Sequence, residues 1–118
     1  MADDAPAVFD LAVLDRQTSG DRELAIEIVQ MFLEDYAMRL AAIHVAVEQG
    51  DARGLVTTAH TLKGSAGYLS AGRVAEAAGR LEAIGREGRL ADAAAALEQL
   101  DGAVAQLIPE LLKATSTP

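Results

Sequence analysis

Hydrophobic positions recur every three or four residues along most of the chain, the period of a helix with one buried face. The first long run carries Leu24, Ile28, Phe32, Tyr36, Leu40, Ile43 and Val47. It predicts a helix from about Asp21 to Gln49, entered from Thr18-Ser19-Gly20-Asp21 and closed by Gly50. On this pattern Met31, Phe32, Tyr36 and Met38 belong to the core or its edge. Asp51 then caps a second helix to about Leu69, with Leu55, Ala59, Leu62, Ala66 and Leu69 as its stripe. Ser70-Ala71-Gly72 marks a tight turn. A third helix follows from about Ala71 to Arg86, built on Val74, Ala77, Ala78, Leu81 and Ile84, its end weakened by Gly85 and Gly88. The fourth, from about Leu90 to Ile108, shows Leu90, Ala93, Leu97, Leu100, Val104, Leu107 and Leu111, and Pro109 kinks or ends it. Ahead of all four, Phe9 to Leu14 suits a short helix.

Connections of only a few residues make consecutive helices antiparallel neighbours. The expected fold is all-α: an up-down-up-down antiparallel four-helix bundle over residues 8–113, with a short N-terminal capping helix. Residues 1–7 and 114–118 are expected to be flexible tails. Composition points the same way. Half the residues are hydrophobic but only 3% are aromatic, a mixture suited to close helix packing and not to a sheet.

Cysteine is absent, which excludes disulfides and thiolate metal sites. The acidic start Met1-Ala2-Asp3-Asp4 is unlike a signal peptide. The most apolar region, Ala91 to Leu112, is broken by Asp92, Glu98, Asp101 and Glu110, against a membrane span. A soluble cytoplasmic domain is the expectation, and a monomer fits the size. The net charge of −8 disfavours nucleic acid and anionic membranes as partners. Yet Arg53, Lys63, Arg73, Arg80, Arg86 and Arg89 outnumber Glu76, Glu82 and Glu87 between Ala52 and Arg89. One region is therefore locally positive. It lacks both GxxxxGK[ST] and GxGxxG, so no phosphate-cradling loop is expected.

That region contains Ala59-His60-Thr61-Leu62-Lys63-Gly64-Ser65-Ala66-Gly67. Beside the core stripe of the second helix runs a second seam of Val56, His60, Lys63, Gly64 and Gly67. Glycine inside a helix is about 1 kcal/mol worse than alanine, so bare backbone around one imidazole suggests that something must approach the ring. Counting equal distances from the turn near Ala71 places Glu82 level with His60, Lys63 opposite Gly79 and Arg86 toward Val56. A carboxylate at that height accepts the Nδ1 proton and leaves Nε2 as an outward lone pair, an oriented nucleophile. Lys63 and Arg86 add positive charge suited to steadying a phosphoryl group on Nε2. Whether Arg86 reaches the site stays open, because Gly85 and Gly88 flank it. Gly64 and Gly67 clear the approach, and Val56 and Tyr68 offer an apolar docking patch. No second catalytic group accompanies the histidine, so the site reads as a carrier and not an enzyme. His44 has no motif around it and reads as structural or solvated. It shares no helix with His60 and there is no Glu-x-x-His pair, so no metal site is expected.

The run His60-Thr61-Leu62-Lys63-Gly64-Ser65-Ala66 resembles the signature of histidine-containing phosphotransfer (HPt) domains of bacterial two-component phosphorelays. The resemblance extends to Phe32, Gly50-Asp51 and Leu81-Glu82. It implies a four-helix bundle whose motif histidine, here His60, exchanges a phosphoryl group with an aspartate of a receiver domain. The implied partners are receivers of response regulators or hybrid histidine kinases, and the receiver brings the Mg²⁺. No cofactor and no ATP site of its own are implied. Lys63 and Gly64 fit the family pattern, and Glu82 occupies a position where Gln or Glu bonds the imidazole. Two departures are Tyr68, where many members have a smaller polar residue, and Ser70, where many have glycine. The rival reading is a non-phosphorylated helical adaptor that regulates a kinase or receiver by contact.

Overall fold

A computed structural model describes residues 6–116, and within them the chain is helical with no strand. Five α-helices follow in order: α1 (Leu11–Gln17), α2 (Arg22–Glu48), α3 (Ala52–Tyr68), α4 (Gly72–Glu87) and α5 (Ala93–Ser116). Each of α2, α3 and α4 packs on its successor, and α5 returns to α2, so the four long helices enclose one core. Leu14, Val29, Ile43, Leu55, Leu62, Leu69, Val74, Leu81, Leu100, Leu107 and Leu111 are almost wholly removed from water there. No helix among the described residues is long and apolar enough to cross a membrane.

The helix starts follow from aspartates. Asp10, Asp21 and Asp51 each accept a hydrogen bond from the backbone N–H three residues on, satisfying a donor that the first turn leaves open. The stops at Gly50 and Gly88 take positive φ, 64° and 69°, a region where a side chain is strained. α4 starts differently. Its N-cap is Ala71, whose methyl group cannot accept a hydrogen bond. The carbonyl of Ala7 instead accepts the N–H of Arg73 at 3.1 Å, and that of Pro6 accepts Arg73 Nε at 2.7 Å.

Several expectations are corrected. The sequence places Pro6 and Ala7 in a flexible tail, but those bonds fasten them to α4; the remainder of that tail, residues 1–5, lies outside the described residues. At the other end α5 stays helical to Ser116, so the expected tail from 114 begins too early; residues 117 and 118 lie outside the described residues. Pro109 does not end α5. Its ring and Ala105, whose carbonyl it leaves without a donor, both face water, while the buried Leu107 and Leu111 hold the helix on either side. Leu90 belongs to a single 3₁₀ turn, Leu90–Asp92, ahead of α5. Gly85 does not fray α4. A Cβ there would stand 2.9 Å from Val56 Cγ2 and 3.0 Å from the Ala52 carbonyl oxygen, so the missing side chain is what lets α3 and α4 close together.

The apolar seam of α2 departs from its expected position at its start, while Ile28, Tyr36, Leu40 and Val47 pack partly buried against the core. Ala25 and Val29 are buried, whereas Leu24 is 41% exposed. Phe32 and Ile43 stay inside as expected, with Tyr36 stacked on Phe32 at 6.0 Å between ring centroids. Met31 and Met38, expected at the core or its edge, stand in solvent. The stripes of α3 and α4 lie where the periodicity puts them.

Candidate functional site

α3 and α4 present the site across their shared face. With the core stripe of α3 turned inward, His60 comes one position round the helix, beside α4. Its side chain is 64% exposed, and Nδ1 lies 3.0 Å from Glu82 Oε2. The register counted from the turn at Ala71 therefore holds. It holds for Lys63 too: a Cβ on Gly79 would touch Lys63 Cδ at 3.3 Å, so the lysine stem lies across that glycine.

Glu82 is the centre of the cluster. Its side chain is only 4% exposed, although it is charged. Lys63 Nζ stands 2.8 Å from Oε1, and Arg86 Nη2 donates to Oε2 at 2.6 Å. Lys63 above all, then Arg86 and His60, hold the carboxyl down from 4.5 to about 2, against the opposing effect of burial. The carboxylate is thus ionised near neutral pH and can only accept hydrogen bonds. The proton between it and His60 must then sit on Nδ1, and in the neutral imidazole Nε2 carries the lone pair. Arg86 reaches the site, one helical turn beyond Glu82 on α4, which the flanking glycines had left open.

The four residues proposed for docking separate. Gly64 and Gly67 are exposed, and a Cβ on either would meet nothing within 4 Å. Tyr68 is 62% exposed. Val56 differs: it is half-buried against Gly85 and serves packing between α3 and α4. Gly64 and Tyr68 also line a cavity of about 510 Å³ between α3 and α2, with Leu24, Ile28, Met31 and Phe32 on its far wall and Asp35 and Arg39 at its edge. The sequence does not reveal the α2 wall because its periodicity puts Leu24 in the core, whereas Ile28 packs at the core's edge and also faces the cavity. The seven-residue spacing of Leu24, Met31 and Met38 was the available signal. His44 lies away from this site, with Nε2 2.8 Å from Asp101 Oδ1, and joins α2 to α5. No group of three or more metal-ligating side chains forms among the described residues.

Comparison with known proteins bears on the same features. Residues 27–110 match the family described as Hpt domain. The fold is similar to the crystal structure of histidine-containing phosphotransfer protein B (HptB) from Pseudomonas aeruginosa PAO1. The TM-score is 0.82 and the identity 28%, over 90% of this chain and 92% of that one. No curated protein matches the sequence.

Proposed function

Because the chain belongs to the Hpt domain family, we propose that His60 is the residue that carries the phosphoryl group, exchanging it with an aspartate of a receiver domain. The observation that carries this reading is the exposed imidazole whose Nδ1 is held by an ionised, buried carboxylate. Nε2 attacks the phosphorus of an aspartyl phosphate in line with the leaving oxygen. The N–P bond forms as the P–O bond breaks, and the aspartate departs as carboxylate. The transition state is loose, so positioning and charge do most of the work. As the ring gains positive charge, Glu82 on Nδ1 offsets it. Lys63 and Arg86 stand ready to turn from Glu82 toward the incoming oxygens, and Gly64 and Gly67 leave the partner room. Transfer back to an aspartate is the same step reversed.

In this reading the chain acts as a cytoplasmic monomer without an ATP site. The four long helices run up-down-up-down, with α1 capping one end; their short connections and closed ring of neighbours support this arrangement. The test is incubation with a ³²P-labelled phosphorylated receiver. Acid-labile label should appear on the wild type and vanish in His60→Gln with helicity unchanged. Label retained by His60→Gln would refute the assignment, and no label on the wild type would favour an adaptor that acts by contact.

A further inference from the structure

Four of the most exposed large hydrophobic side chains lie on one helix at a fixed interval. Leu24, Met31, Met38 and Val45 of α2 are 41, 61, 69 and 46% exposed, and each follows the last by seven residues. Seven residues fall about 20° short of two full turns, so the four form one gently winding stripe. It begins at the wall of the cavity beside Gly64, which Leu24 and Met31 line, and runs on along α2 through the exposed Met38 and Val45. None of this apolar surface is required by the core, which α2 fills with Ala25, Val29, Phe32, Ile43 and Ala46.

The edge of the stripe carries a sign. Three residues after Leu24, Met31 and Val45 come Glu27, Glu34 and Glu48, all exposed and on the same side. On the other side lie Ile28, Asp35 and Ala42, with Arg39 paired to Asp35 at 3.7 Å. Antiparallel pairing of two copies would set the glutamate edge against itself. Parallel pairing would set it mostly against Ile28 and Ala42, with one Asp35–Arg39 ion pair between them, and so leave most of its charge unanswered. The glutamate edge disfavours an antiparallel second copy and an anionic membrane alike. The unbranched methionines accept varied apolar shapes.

We propose that the outer face of α2 binds an amphipathic helix of another protein, one whose apolar stripe is edged by lysines and arginines. Heptad spacing seats the two helices knobs into holes, and the acidic edge selects the basic partner. The proposal does not rest on phosphoryl chemistry at His60.

The experiment uses the full chain and a synthetic helix of about 21 residues, some 30 Å long, with leucine at heptad spacing and lysine edges. Calorimetry and ¹⁵N NMR titration follow its binding. A glutamate-edged version and a scrambled version of the same composition serve as comparisons. The lysine-edged helix is expected to bind with shifts centred on Leu24, Met31, Met38 and Val45, and more weakly as salt rises. The two comparison peptides should bind at least about tenfold more weakly, as should Met38→Lys or Val45→Lys, whose exposed positions leave the fold intact by circular dichroism. Equal binding of all three peptides, no binding at roughly 1 mM, or shifts centred elsewhere would overturn the proposal. So would a concentration-dependent dimer in sedimentation that Met38→Lys abolishes, because the occupant would then be a second copy.

Discussion

At the scale of single residues, Glu82 decides most of what the site can do. Its carboxyl is lowered from 4.5 to about 2, with Lys63 the largest cause. A folded-state value below the unfolded one adds stability above about pH 4.5, and that contribution is lost as pH falls toward 2. A shift of this size corresponds to about 3 kcal/mol, but Lys63 and Arg86 are half in solvent, so about 1–2 kcal/mol is expected. Urea titrations at a series of pH values should show the gap between wild type and Glu82→Gln narrowing from pH 5 to 2. Ser70 is the second case. It adopts φ 67°, where an L-residue is strained, and its buried Oγ has no hydrogen-bond partner. Ser70→Gly should raise stability by about 1 kcal/mol, measured by denaturant midpoint. The pairing of His60 with Glu82 was legible in the sequence because both are counted from one turn. The convergence of two cations on that carboxylate was legible only in part, since side-chain reach leaves no periodicity.

At the scale of helices, Gly85 sets how closely α3 meets α4, and with it the distance from His60 to Glu82. Alanine would gain about 1 kcal/mol of helix propensity. Its Cβ would also press on the Ala52 carbonyl, which is backbone and cannot swing aside. Gly85→Ala is therefore expected to destabilise by a net 1–2 kcal/mol or so. It should also move the His60 ring resonances, which NMR would report. The stripes on α3 and α4 could be read directly, because their large aliphatic residues all point inward. On α2 the same periodicity favours the larger Leu24, which stands 41% exposed. There the tight places in the core are filled by Ala25 and Val29, and size-weighted periodicity does not favour small side chains.

Across the whole molecule, the start of the described chain is fastened to α4, far along the sequence. Removing residues 1–7 would take away both carbonyls that Arg73 uses, opening the start of α4. A loss of about 1–2 kcal/mol is expected in thermal or urea unfolding, with helicity retained. This closure was invisible in the sequence, because backbone carbonyls make it and no side-chain pattern records them. The site also has a consequence for the whole surface. Lys63 and Arg86 against Glu82 leave one surplus positive charge on a protein of net charge −8. A phosphoryl group brings about two negative charges. On the reading of His60 given above, loading the ring turns this cationic spot anionic, so a partner can tell a full carrier from an empty one by the sign of the field it meets, with no change of shape.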